Sequence, residues 1–323
     1  MKKTTRGTIH GITVQKGGVG KSTIASMMAY EYAVMGYKTI LVDFDPQSTQ
    51  TSAFFGFSFG SFTGEDPSNI ANIFSEDKTV APIKHKTVKY VDNPKKGEFG
   101  EKSFVEEKLV IDFIPSNYEL TTKIESSEYS TEEKIDIVQN FLDDLRGTYD
   151  KIIVDSPPAF GVITKGILRT VDSIIIPVAT KSIDTDGMIG FFKLFDHFVA
   201  ECDNINLKKM LVVPNMYQSI VNDSKETLKD IAGIPNLVQA QRHLRNIDCE
   251  VAKPIKQSSV VQTAPSYQMF LVPYIMDYTN RSQHKDLLKS ITTLATDLLD
   301  YEVEDDIVEL NTIEVSTPTK QKV

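Results

Sequence analysis
The most constraining feature is a nine-residue segment, Gln15-Lys16-Gly17-Gly18-Val19-Gly20-Lys21-Ser22-Thr23. It follows a short apolar run at 8–14 and opens a stretch with apolar residues at helical spacing (Ala25, Met28, Ala29, Tyr32), which Gly36 ends. A second apolar run occupies 38–44. The pattern is a strand, a glycine-rich turn, a helix and a strand, the context in which backbone N–H groups curl around phosphate. The glycines let those N–H groups point inward, and the helix N-terminus adds its positive dipole end. Lys21 is then placed for the β- and γ-phosphates, the Ser22 hydroxyl for Mg2+ and Thr23 for the α-phosphate.

Further apolar runs at 109–114, 151–154, 173–178, 210–213 and 269–272 lack polar alternation, as strands buried on both faces do. Helical patterns at 131–145 and 189–201 separate several of them. The reading is an α/β fold, a doubly wound, mostly parallel sheet flanked by helices. No linker divides the chain, so one domain is expected over 1–301, with an insertion around 56–107 and an acidic, flexible tail at 302–323. The second half of the insertion, 84–107, reads as a hairpin or a mobile loop.

Two carboxylate segments complete the phosphate site. Asp43 and Asp45 close the second strand in Val42-Asp43-Phe44-Asp45-Pro46-Gln47. Asp155 ends the apolar run at 151–154, at the strand end where such sheets place ligands. Many phosphate-loop ATPases carry a glutamate directly after this aspartate; here the neighbour is Ser156.

The strict phosphate-loop pattern asks for glycine where Gln15 stands, and an extra lysine, Lys16, follows it. In this the segment resembles the deviant Walker A box of the ParA/MinD family of ATPases, and Asp43 to Gln47 resembles that family's switch segment. The resemblance implies a P-loop NTPase fold that binds ATP and Mg2+ and hydrolyses ATP. It implies that Lys16 reaches the ATP of a second subunit, that Asp43 and Asp155 hold the hydration shell of the metal with Ser22 as a ligand, and that Asp45 orients the attacking water. Asn215, in the turn after 210–213, is either a reader of the adenine edge or a simple turn residue.

The same resemblance offers several outputs. The tail is acidic and lacks a basic amphipathic helix, which argues against a MinD-like membrane anchor. Two cysteines, Cys202 and Cys249, sit in no cluster-binding pattern, and only Tyr301 stands at the start of the tail, against an iron protein and a tyrosine kinase. No apolar run approaches the roughly 20 residues of a membrane span, and the basic N-terminus leads into polar residues, so a cytoplasmic location is expected, nucleoid-associated when ATP is bound. The expectation is a DNA-partition ATPase: an ATP-bound homodimer on nonspecific DNA, released when a centromere-bound, ParB-like partner stimulates hydrolysis. The alternative is a positioning or assembly ATPase whose dimer docks on a protein scaffold.

The chain carries a formal charge of −9, so its bulk surface repels DNA and any contact needs a local basic patch. The candidates are Arg242, Arg245, Lys253, Lys256, Arg281, Lys285 and Lys289, seven bases against four acids in that stretch. Contacts of this kind grip phosphate without reading sequence. A lysine cluster at 84–96 competes with them.

Overall fold
The computed structural model describes residues 6–48, 51, 66–75, 79–92, 104–181, 185–202, 205–279 and 281–313. The strands are β1 (Thr8–Ile12), β2 (Thr39–Asp43), β3 (Ile83–Asp92), β4 (Phe104–Ile114), β5 (Lys151–Asp155), β6 (Ser173–Ala179), β7 (Lys209–Asn215) and β8 (Asp248–Val251). They form one sheet in the order β3-β4-β2-β5-β1-β6-β7-β8. β4 through β8 in that order run parallel, and only β3 is antiparallel, at the edge.

The helices are α1 (Lys21–Val34), α2 (Glu119–Ser126), α3 (Thr131–Leu145), α4 (Val162–Thr170), α5 (Thr185–Glu201), α6 (Asn222–Ala232), α7 (Ile234–Gln239), α8 (Val260–Thr263), α9 (Leu271–Tyr278) and α10 (Lys285–Ile313). Successive strand residues point to opposite faces, and the core divides accordingly. Ile40, Val42, Ile152, Val154, Ile174 and Ile176 pack with α3, α4 and α5, whereas Leu41, Ile153 and Ile175 pack with α1, α9 and α10. Burial on both faces explains why the central strands read as unbroken apolar runs. α3 starts in a capping box, with Ser130 accepting from the Glu133 amide and the Glu133 carboxylate accepting from the Ser130 amide.

Four features depart from the sequence reading or fill it in. Residues 84–107 include an antiparallel pair, β3 with β4, in register from Ile83 opposite Phe113 to Asp92 opposite Phe104. The run at 269–272 is not a strand. Phe270 is extended and α9 begins at Leu271, with Pro273 in its first turn, where a missing N–H costs nothing. β8 was not anticipated. Of the expected insertion, 56–65, 76–78 and 93–103 lie outside the described residues, as do Lys95 and Lys96 of the lysine cluster. Of the acidic tail, 302–313 continue α10 as helix and 314–323 lie outside the description.

The topology fixes where a ligand can sit. β1 lies between β5 and β6; the chain leaves β1 through α1 for β2 on one side of it, and later passes from β5 to β6 on the other. That reversal opens a crevice at the carboxyl ends of β1, β2, β5 and β6. No helix among the described residues is long and apolar enough to cross a membrane.

Candidate phosphate and metal site
The glycine-rich loop leaves the end of β1 and enters α1 through Gly20, whose φ of 94° is left-handed. Gly18 is left-handed as well, with φ 72°. A Cβ on Gly20 would lie 2.3 Å from Asn215 Nδ2, so the position excludes a side chain on both backbone and steric grounds. A Cβ on Gly17 or Gly18 would meet nothing within 4 Å, which leaves the mouth of the loop open.

Lys21 opens α1 with its ammonium turned back along the loop, donating to the Lys16 carbonyl at 3.2 Å. Burial lowers its pKa, and the charges of Asp155 and Asp45 oppose that shift. The lysine thus faces two of the predicted carboxylates. Lys16 itself is half-buried and lines an open cleft of about 350 Å³ with Gln15, Val178 and Met188.

The carboxylates converge through strand register. Asp43 and Asp155 are direct partners at the ends of neighbouring strands β2 and β5. Both side chains are fully buried. Burial and then the Asp155 charge push the Asp43 pKa well above the carboxylate range. Two buried carboxylates side by side repel one another, and a cation between or above them removes that penalty. Asp43 Oδ1 accepts from the Asp45 amide at 3.0 Å, and Asp45 Oδ1 accepts from the Gln47 amide at 3.0 Å. These bonds fold the switch segment into a tight turn that keeps Asp45 beside the loop. The turn after Asp155 is held to β1, because the Ser156 hydroxyl and amide both donate to the Ile12 carbonyl.

The donor set suits Mg2+. Ser22, Asp43 and Asp155 offer only hard oxygen atoms. Among the described residues no group of three or more His, Cys, Asp or Glu side chains could hold a metal ion by itself. An ion here would take its remaining ligands from water and phosphate, as Mg2+ does in nucleotide sites.

Asn215 ends β7, and its amide is engaged on both sides: Nδ2 donates to the Val19 carbonyl at 2.8 Å and Oδ1 accepts from the Met216 amide at 2.9 Å. It clamps the far side of the phosphate loop. Beside it an open cleft of about 470 Å³ is lined by Thr23, Met27, Asn215, Met216 and Gln262 among others.

The basic candidates separate into groups. Arg242 and Arg245 precede β8, and Lys253 and Lys256 follow it, at the end of the sheet that carries the phosphate loop. Lys256 binds Asp286 at 2.6 Å. That hydrogen bond and charge, joined by Lys285 and Lys289, hold the Asp286 carboxyl below its usual range. Lys256, Lys285 and Lys289 therefore share one exposed cluster, while Arg242 and Arg245 stand apart from it. Arg281 lies in a short helical turn, and its side chain falls outside the described ones. Two of the four acids in this stretch, Asp248 and Glu250, are committed to the buried Lys209 at 3.4 and 2.8 Å. The cysteines are half-buried and burial raises both thiols, Cys249 to about 12, which does not suit a thiolate ligand.

The fold and site define a phosphate-loop nucleoside triphosphatase with a second lysine at the head of the loop and no acid after the strand-end aspartate. The model of the AAA domain family matches residues 7–209, well over half of the chain. The chain is 32% identical over 204 residues to the uncharacterized protein MJECL24 of Methanocaldococcus jannaschii, covering 62% of this chain and 69% of that protein. It is 27% identical over 230 residues to the chromosome partitioning protein ParA of Myxococcus xanthus, covering 71% and 72%. Among solved structures, pNOB8 ParA superposes with a TM-score of 0.64 at 17% identity, covering 93% of this chain and 99% of that one. The structure of pNOB8 ParA bound to nonspecific DNA superposes with a TM-score of 0.57 at 18% identity, covering 90% and 99%. The chain belongs to the ParA/MinD superfamily as a ParA-type partition ATPase.

Proposed function
We propose that this protein is an ATP-switched DNA-partition ATPase whose ATP-bound homodimer grips nonspecific DNA and whose slow hydrolysis releases it. The observation that carries the reading is the meeting of Lys21, Asp43, Asp45 and Asp155 at one loop, with Lys16 at that loop's outer edge.

In this reading Lys21 and the loop amides bind the phosphates, while Ser22, Asp43 and Asp155 hold Mg2+, which neutralises the developing phosphate charge. Thr23 meets the α-phosphate, and the base enters the cleft beside Asn215. Lys16 crosses to the nucleotide of the second subunit, where two facing triphosphates concentrate negative charge. Asp45 orients the attacking water. With Ser156 rather than an acid directly after Asp155 in the chain, no catalytic glutamate shares that role, so turnover is slow and a partner can control it.

Dimerisation sets the basic cluster of Lys256, Lys285 and Lys289 beside its twin, and two weak phosphate-binding surfaces on one rigid body gain avidity. The chain's −9 charge makes such doubling necessary. A ParB-like, centromere-bound protein is the partner that stimulates hydrolysis, and the ATP-bound form is nucleoid-associated.

Sedimentation of the Asp45→Ala protein with ATP and with ADP tests the switch. A dimer with ATP and a monomer with ADP support it. The same experiment with Lys16→Ala should give nucleotide binding without a dimer. An ATP dimer that persists without Lys16 removes the lysine from its role.

A further inference from the structure
The metal-facing carboxylate Asp43 has a second anchor, six residues beyond Asp45. Asp43 Oδ2 accepts from the Thr51 hydroxyl at 3.1 Å and from the Thr51 amide at 3.3 Å. The same hydroxyl oxygen accepts from the Ser116 amide at 3.0 Å. All three residues are buried, Thr51 to 2% exposure and the other two to none. A hydroxyl that donates to a carboxylate and accepts from a fixed amide has its proton direction set, so the carboxylate it touches is held in one rotamer.

The chain of contacts continues. Ser116 follows the end of β4. Pro115 accepts from the Ile70 amide at 2.9 Å, and Asn117 Oδ1 accepts from Asn69 Nδ2 at 2.9 Å and from the Glu119 amide at 3.0 Å. Asn69 in turn caps the short helix Ile70–Phe74, its Oδ1 accepting from the Ala71 amide. The turn that ends β4 is therefore fixed on one side to the inserted helical segment and on the other, through Thr51, to Asp43.

We infer that Thr51 is a positioning residue for Asp43, aiming its carboxylate at the metal, and that the Thr51–Ser116 bond couples the metal site to the turn at the end of β4. Thr51 acts through Asp43, to which its hydroxyl and amide both donate. Its hydroxyl leaves Asp43 Oδ1 to the Asp45 amide and ties Oδ2 from below, so the metal approaches a carboxylate with a fixed plane. The inference rests on the reading that Asp43 faces Mg2+.

Thr51→Val keeps the shape of the side chain and removes the hydroxyl, and Thr51→Ser keeps the hydroxyl. Binding of a fluorescent, non-hydrolysable ATP analogue is titrated with Mg2+, and measured again in EDTA. Loss of an outer-shell hydrogen bond to a metal ligand costs about 10- to 100-fold in metal affinity. The expected result is a Mg2+ midpoint raised about tenfold or more in Thr51→Val, near that of the native protein in Thr51→Ser, with analogue affinity in EDTA unchanged in both. An unchanged midpoint in Thr51→Val overturns the inference, as does a loss of EDTA affinity equal to the loss in Mg2+, which marks a purely structural role. Analogue binding that is independent of Mg2+ in the native protein overturns the metal-site reading itself, and the inference with it. Hydrogen exchange on the native protein supplies a test free of any folding defect. The Ser116 amide should exchange several-fold more slowly with Mg2+ and analogue than with analogue in EDTA. Equal protection in the two states refutes the coupling.

Discussion

Replacing Gly20 with alanine perturbs the site in a way the geometry makes quantitative. The residue sits at φ 94°, where an L-residue costs about 1–2 kcal/mol. The new methyl group would lie 2.3 Å from Asn215 Nδ2, far inside van der Waals contact. Asn215 cannot yield cheaply, since both ends of its amide are hydrogen-bonded and it is only 8% exposed. The substitution therefore also breaks the bond to the Val19 carbonyl, at about 1 kcal/mol. The sum, about 2–3 kcal/mol, corresponds to roughly 30- to 150-fold weaker nucleotide binding. Asn215→Ala alone loses only the clamp and should weaken binding about fivefold. In the double variant the clash is gone and the clamp is already lost, so it should bind no worse than Gly20→Ala. The two changes are thus coupled by about 1 kcal/mol. The assay is titration of a fluorescent ATP analogue at saturating Mg2+ against all four proteins. Strict additivity, with the double variant weaker than Gly20→Ala by the full Asn215→Ala decrement, refutes the argument that the methyl group acts through Asn215.

The other predictions follow from single contacts. Asp45→Ala should bind ATP normally and lower turnover by at least tenfold, read as phosphate release; unchanged turnover removes Asp45 from orienting the water. Glu31 of α1 is buried against α10, where the Thr292 hydroxyl donates to it at 3.0 Å, and burial raises its pKa above 4.5. A raised folded-state value favours the folded protein below the unfolded-state pKa, and that contribution is lost as pH rises through the folded one. Glu31→Gln should therefore be more stable than the native protein at pH 8 and gain little at pH 4, by thermal melts; a gain that is constant across pH contradicts the burial argument. In Gly166→Ala the new Cβ would lie 2.6 Å from the Val138 Cβ, at the packing of α4 on α3. Overpacking of this kind costs about 1–3 kcal/mol, and a denaturation midpoint equal to the native one would contradict it.

The parts of the site that were legible in the sequence are those encoded in contiguous residues. The phosphate loop and Asp43, Asp45 and Asp155 each stand at the end of a buried strand, and apolar runs announce such ends locally. The clamp on the loop was not legible, because Asn215 and Val19 are 196 positions apart and only the β1-β6-β7 order brings them together. Thr51 gave no signal either, since it lies in a polar stretch that reads as an ordinary loop. The run at 269–272 misled because a four-residue apolar segment fits a strand or a buried helix equally well. β8, Asp248-Cys249-Glu250-Val251, is short, half-exposed and polar at alternate positions, too weak a pattern to mark a strand. Charge summed along the chain makes the basic region read as one patch, whereas Arg242 and Arg245 enter β8 and Lys253 and Lys256 leave it at the other end.

In the proposed function, ATP alone turns this acidic protein into a DNA-binding one. The direct measurement is binding of the Asp45→Ala protein to a random-sequence duplex with ATP, with ADP and without nucleotide, at low and raised salt. Binding is expected with ATP only, weakening steeply with salt as displaced counterions compete for the phosphates, and lost on charge reversal at Lys256, Lys285 and Lys289. An ATP dimer that binds no duplex at either salt would contradict it, and would point to a protein scaffold as the surface on which this ATPase works.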